Sequence, residues 1–176
     1  MDGKINMTIS KKITTPRLTL GEIRECDFDA LMAIFKSDVV KATYMVPDLP
    51  TQEDEMKLFS ALRSLSERDD RYVFGIFLGD KLIGMLNDTE INGVNIEMGY
   101  ALHPDYHNQG FATEAFGAVI KHLFSKGFDV ILAGAFEENT ASMRVMEKCG
   151  MSRTKMTAEI EYRGIMHKCV YYSLKK

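Results

Sequence analysis

The sequence changes its period once between Val94 and Phe124, and that change dictates a strand, a loop and a helix in that order. Residues 94–102 are mostly β-branched, apolar or aromatic, and His103-Pro104-Asp105 ends the run because proline has no N–H to give a sheet ladder. The loop 103–109 is polar. From Gly110 onward apolar residues recur every three to four positions, at Ala112, Ala115, Phe116, Val119, Ile120, Leu123 and Phe124, which is the spacing of an amphipathic helix. A helix start leaves four N–H groups without intrahelical partners and carries roughly half a positive charge, so an anion is its natural occupant. Gly110 and Ala112 have little or no side chain, which lets a bulky diphosphate come close to the backbone. The same residues also suit an ordinary strand-to-helix turn. Neither the three spaced glycines of a dinucleotide fold nor a Gly-Lys-Ser/Thr nucleotide loop is present, which disfavours nucleotide hydrolysis.

Composition narrows the classes. A chain of 176 residues with 45% hydrophobic and 27% charged side chains suits one soluble domain with a sizeable core. The net charge of −3 and the scatter of the basic residues argue against nucleic acid as a partner. No apolar run approaches the ~20 residues of a membrane span, and the polar start lacks a signal peptide's apolar segment, so no membrane partner is expected. Three cysteines, Cys26, Cys149 and Cys169, and four histidines show no disulfide or metal-ligand spacing, so no metal is expected and a reducing cytoplasm is the simplest home. The methionines read as core filler, with Met45, Met85 and Met98 also candidates for a cleft wall.

The order of elements reads β-α-α-β-β-β-α-β-α-β-β, a polar tail over 1–12 followed by one domain over 13–176. Ile13 to Ile23 alternates as a first strand with Pro16 near its beginning. Asp27 and Thr51 cap two helices, the second with Met56, Phe59, Leu62 and Leu65 inward. Between them Tyr44-Met45-Val46 is an apolar piece of connector that either lines a cleft or plugs the core. Gly79-Asp80 and Asn92-Gly93 turn three antiparallel strands, and the helix after Gly110 returns the apolar strand 128–136 parallel to the strand that carries Glu97. Asn139 to Lys148 is a further helix closed by Gly150, and a hairpin turns at Arg163-Gly164. That terminal hairpin or a sheet edge offers a surface through which two copies could pair.

Four motifs in this order carry a resemblance. Thr15-Pro-Arg-Leu-Thr-Leu20, Glu97-Met-Gly-Tyr…His103-Pro, Gly110-Phe-Ala-Thr-Glu-Ala115 and Asn139-Thr-Ala-Ser142…Gly150 together resemble the acetyl-CoA site of the GNAT acetyltransferase superfamily, its RimJ/RimL-like branch in particular. The likeness spans about Ile13 to Leu174. It implies an α/β (α+β) acyl-CoA N-acyltransferase fold, a mixed seven-stranded sheet flanked by about four helices. It also implies an enzyme that carries the acetyl group of acetyl-CoA to a primary amine, either a protein N-terminus or a small-molecule amine, by direct transfer in a ternary complex.

Site residues follow from the same likeness. It implies a diphosphate held on the backbone of Asn108, Gln109, Gly110, Phe111, Ala112 and Thr113. His107 stands where the family usually has glutamine or arginine. The pantetheine arm would lie along Ala101, Leu102 and His103, with Asn139 as a further contact; as a residue, Asn139 also reads as a helix cap. Glu97 shares a strand face with the small residues Gly99 and Ala101. It matches a glutamate that serves as base in some relatives, the alternative being a carboxylate paired with Arg17 or Arg24. Where many relatives place a tyrosine that protonates the thiolate, this chain has Met146, which has no proton to give. Ser142 matches a serine that stabilises the thiolate, and Tyr106 or Tyr162 could supply the acid if folded nearby. Met146 also motivates a second reading, a non-catalytic module that binds and senses acyl-CoA.

Overall fold

A computed structural model of the protein describes residues 11–176, so most of the expected tail over 1–12 lies outside the described residues. The first predicted strand is in fact two. Pro16 breaks it, and Thr15 closes a tight turn by accepting the Leu18 N–H on its hydroxyl (2.9 Å) and donating its own N–H to the Leu18 carbonyl (2.9 Å). β1 (Ile13–Thr14) and β2 (Thr19–Gly21) therefore pair antiparallel with each other. This raises the expected seven strands to eight among the described residues.

α1 (Phe28–Lys36), a short α2 (Asp38–Lys41) and α3 (Gln52–Ser66) follow, and α2 is the helix the sequence did not suggest, making five against the four expected. Thr51 caps α3 in a reciprocal box with Asp54, as its spacing predicts. Phe59 of α3 is buried, whereas Met56, expected inward, is 55% exposed. β3 (Phe74–Leu78), β4 (Lys81–Asn92) and β5 (Asn95–Leu102) form the antiparallel run, turning at Gly79 and Gly93 with φ near +60°. α4 (Phe111–Ser125) crosses over to β6 (Val130–Phe136). α5 (Thr140–Lys148) and the hairpin β7 (Ser152–Tyr162) and β8 (Ile165–Lys175) complete the chain.

The strands lie in the order β1-β2-β3-β4-β5-β6-β8-β7, and β5 and β6 run parallel. Strand alternation sends side chains to two cores, one on each face of the sheet. On one face Leu20, Phe74, Ile83, Ile96 and Met98 pack under α4 and α5, with Phe116, Val119 and Leu123 fully buried. On the other, Met85, Leu82 and Ala101 pack under α1 and α3. The sheet is thus the middle layer of a sandwich of helices.

The parallel pair β5–β6 is incomplete. Its register covers Asn95↔Val130, Ile96↔Ile131 and Glu97↔Leu132, and no further. β5 nevertheless continues to Leu102 against β4, and β6 to Phe136 against β8. The two strands splay beyond Glu97, and the backbone groups they turn toward each other go without strand partners.

Candidate active site

Two features converge where the splay opens. The first is the start of α4. β5 delivers the chain to Leu102, a single 3-10 turn at Pro104–Tyr106 redirects it, and Asn108 and Gly110 take left-handed conformations with φ of 58° and 80°. Glycine tolerates that conformation freely, and asparagine better than most residues. The first intrahelical bond of α4 runs from the Glu114 N–H to the Gly110 carbonyl (3.0 Å). Among the described residues, the N–H groups of 108–113 meet no protein acceptor. Arg17 braces this turn: its Nε lies 2.6 Å from Glu114 Oε2, a terminal nitrogen donates to the Gln109 carbonyl (2.9 Å), and its guanidinium sits 4.4 Å above the Phe111 ring. Burial pushes the Glu114 carboxyl up, but hydrogen bonds from the Thr15 hydroxyl and from Arg17 outweigh it and hold the group below its ordinary value.

His107, His103 and Gln109 are committed locally. His107 Nε2 sits 3.0 Å from the Leu102 carbonyl, which can only accept, so its N–H is already spent. The His103 N–H donates to the Ile83 carbonyl (2.8 Å), and the Gln109 side chain donates to the Asp105 carbonyl (2.9 Å). His107 still lines the cleft together with Asn108, Gly110, Phe111, Ala112 and Thr113, whereas His103 and Gln109 do not.

The second feature is a cavity of about 550 Å³ between the splayed strands, with Ala101 and Leu102 on one wall and Gly134 to Phe136 on the other. Glu97 opens into it beside Gly99. Burial raises the pKa of Glu97, Glu90 adds to the shift, and a hydrogen bond from Thr89 works the other way. Neither expected cation reaches it, because Arg17 is held by Glu114 and Arg24 by Asp27 (2.8 Å). Tyr44 and Met45 of the connector face the same space, while Val46 is buried in the core. The Tyr44 hydroxyl donates to Asn87 Oδ1 (2.6 Å), and burial pushes its phenol up to about 12.

α5 supplies the remaining wall. Asn139 Oδ1 accepts the Ser142 N–H (3.1 Å), so it does cap the helix, and it lines the cleft as well. Met146 is fully buried in the core, so the expected tyrosine's place is filled by packing. Of the two substitutes considered, Tyr106 lines the cleft and Tyr162 does not; the Tyr162 hydroxyl accepts the Val46 N–H (3.2 Å) and Arg163 Nε (2.9 Å) instead.

Sequence reasoning missed three residues. The Ser142 hydroxyl meets that of Tyr100 at 2.8 Å, across from β5. Arg144 and Lys148 also line the cleft, and among the described residues neither forms an ion pair. Their spacing of four puts them on one face of α5, a signal that was readable. The contact of Cys149 Sγ with the Thr113 carbonyl (3.5 Å) sets that end of α5 against the first turn of α4. Among the described residues no cysteine lines the cleft, and burial pushes the Cys149 thiol up to about 11. Among the described residues no cluster of His, Cys, Asp or Glu could hold a metal, and no helix is long and apolar enough to cross a membrane.

The chain and its fold are similar to those of known proteins. The uncharacterized N-acetyltransferase YnaD of Bacillus subtilis (strain 168) is 31% identical over 162 residues, covering 90% of this chain and 87% of that one. The crystal structure of a GNAT-family acetyltransferase from Bacillus anthracis superposes with a TM-score of 0.78 at 27% identity, covering 93% of this chain and 98% of that one. RimL, a ribosomal L7/L12 alpha-N-protein acetyltransferase solved with coenzyme A, shares the fold with a TM-score of 0.78 at 20% identity over 94% of this chain and 98% of that one. Residues 17–152, from the arginine that braces the α4 turn to the start of β7, match the acetyltransferase (GNAT) domain, and the chain belongs to that family.

Proposed function

We propose that this acetyltransferase takes its acetyl group from acetyl-CoA and passes it directly to a primary amine, a protein N-terminus or a small-molecule amine, within a ternary complex. One observation carries the reading: a row of unspent N–H groups at residues 108–113 opens onto a cleft whose two walls are unpaired parallel strands. That combination fits a diphosphate joined to an extended, amide-bearing arm. The diphosphate would take the N–H groups of the α4 turn, and the arm would complete the sheet where β5 and β6 part, along Ala101 and Leu102. Asn139, at the mouth of α5, would hold the arm from the other side. His103 would act through the loop's shape, its backbone N–H being in use, and Gln109 would offer only its backbone N–H, its side chain being tied to Asp105.

The chemistry asks for a neutral amine and for relief of charge on the departing sulfur. Among the described residues Glu97 is the carboxylate that lines the cleft, and its raised pKa brings it nearer to a useful base. Ser142 holds the hydroxyl that would face the sulfur. Direct transfer is supported by the absence of a cysteine from the cleft lining and by the buried, weakly acidic thiol of Cys149. Family membership and the RimL likeness support both the donor and an amine acceptor, and a C-terminal hairpin that leaves Ile165 and Met166 largely exposed supports pairing of two copies.

The test pairs calorimetric binding of acetyl-CoA with a thiol-release assay over a panel of amines and N-terminal peptides. Binding together with acceptor-dependent release is expected. Tight binding without release from any acceptor would leave the sensing module as the better reading, and a stoichiometric acetyl-cysteine trapped in the absence of acceptor would exclude direct transfer.

A further inference from the structure

We propose that Tyr100 is the positioning residue that aims the single hydroxyl proton of Ser142 at the departing sulfur. The inference rests on the transfer reading above and deepens it. Ser142 is tied at three atoms: its N–H donates to Asn139 Oδ1 (3.1 Å), its Oγ donates to the Tyr100 hydroxyl (2.8 Å), and its carbonyl accepts from the Tyr100 hydroxyl (3.0 Å). The tyrosine comes from β5 and the serine from α5, so the pair bridges two walls of the cleft, and both residues line it. The Tyr100 ring packs against the fully buried Phe116 ring, 5.0 Å away and tilted by 41°.

A serine hydroxyl has one proton and two lone pairs. At rest that proton is spent on Tyr100, so nothing is aimed into the cleft. Hydroxyl hydrogens rotate freely about their C–O bonds, and an oxygen–oxygen distance of 2.8 Å serves donation in either direction. When negative charge grows on the sulfur, the Tyr100 hydroxyl turns from the Ser142 carbonyl to Ser142 Oγ, and the Ser142 hydroxyl turns to the sulfur. The carbonyl it leaves is within α5 and keeps its helical partner. Donation from Tyr100 polarises the serine hydroxyl and makes it a stronger donor.

No proton changes owner at these two residues. The carbon–sulfur bond breaks with its electron pair on sulfur, the carbon–nitrogen bond forms, and the amine's surplus proton leaves through the base. Burial raises the phenol well above its ordinary value, so Tyr100 stays protonated throughout and acts as a donor and not as an acid.

Steady-state kinetics on an acceptor used by the wild type provide the test. Tyr100→Phe keeps the ring and removes the hydroxyl. It should lower kcat roughly 10- to 100-fold while KM for acetyl-CoA stays within about twofold, the split expected for an interaction made in the transition state. Ser142→Ala should cost a similar factor, and the double variant should be no slower than Ser142→Ala alone. Tyr100→4-aminophenylalanine, which retains a donor, should recover most of kcat, and Tyr100→4-methoxyphenylalanine, which accepts but cannot donate, should not. Those two keep the comparison open if Tyr100→Phe fails to fold. Losses that multiply in the double variant, a Ser142→Ala variant with full kcat, or a defect confined to KM would overturn the role. A wild type that releases no thiol with any acceptor overturns the transfer reading and this role with it, whereas brisk wild-type turnover left intact by Tyr100→Phe overturns the role alone.

Discussion

Under the proposed transfer, Glu97 is the residue whose surroundings say most about rate. Its carboxyl lies on the sheet face shared with Gly99 and Ala101, and burial beside Glu90 lifts its pKa above the ordinary 4.5. A base works only when deprotonated, so activity should climb with pH through a value higher than that and then level off. Glu97→Gln should cost roughly 10²–10⁴ in kcat and flatten the acidic limb, as a pH series on the wild type and the variant would record. The alternation that placed Glu97 beside two small neighbours was readable in the sequence, because a period of two needs no tertiary knowledge. Its freedom from Arg17 and Arg24 was not. Glu114 lies 97 positions from Arg17 along the chain, and only the folded sheet brings them to 2.6 Å.

At the scale of elements, the proposed reading divides the work between α4 and α5. α4 offers backbone, and its start was legible from Gly110 and the change of period. α5 offers side chains, of which Asn139 and Ser142 were legible, while the Tyr100 partnership needed the packing of β5 against the helix. Arg144 and Lys148 extend the positive end of the cleft from the α4 turn onto α5, next to the Cys149–Thr113 contact. Coenzyme A carries a third phosphate besides its diphosphate. Arg144→Gln and Lys148→Gln should each raise KM for acetyl-CoA several-fold, and together roughly tenfold or more, with kcat little changed. The effect should shrink as salt is added, because both side chains are exposed. Strand division at Pro16 shows the limit of pattern reading: the alternation from Ile13 to Ile23 is genuine, but a missing N–H and a Thr15–Leu18 turn fold it back on itself.

For the whole molecule, one sheet separates two cores, and the core under α4 also anchors the site. Phe116 is fully buried there and carries the Tyr100 ring. Phe116→Ala should cost about 3–5 kcal/mol, a large part of the 5–15 kcal/mol that keeps a typical domain folded. Denaturant unfolding should show a lowered midpoint with a single transition, and the folded fraction should lose kcat beyond what its concentration explains. Phe59→Ala in the opposite core should shift the midpoint with less effect on kcat per folded molecule. The order of elements was legible because its turns are marked by Gly79, Gly93 and Arg163-Gly164. The early end of the β5–β6 ladder was not, since both strands remain apolar past the point where they part.

That early end inverts the usual map of protection in a folded protein. Sheet centres normally exchange their amide hydrogens with solvent slowest and edges fastest. Here the amides between Met98 and Leu102 and between Ala133 and Phe136 that face the gap should exchange like an edge, although they sit mid-sheet. Saturating coenzyme A should slow them more than amides elsewhere, as if the donor were the missing ninth strand.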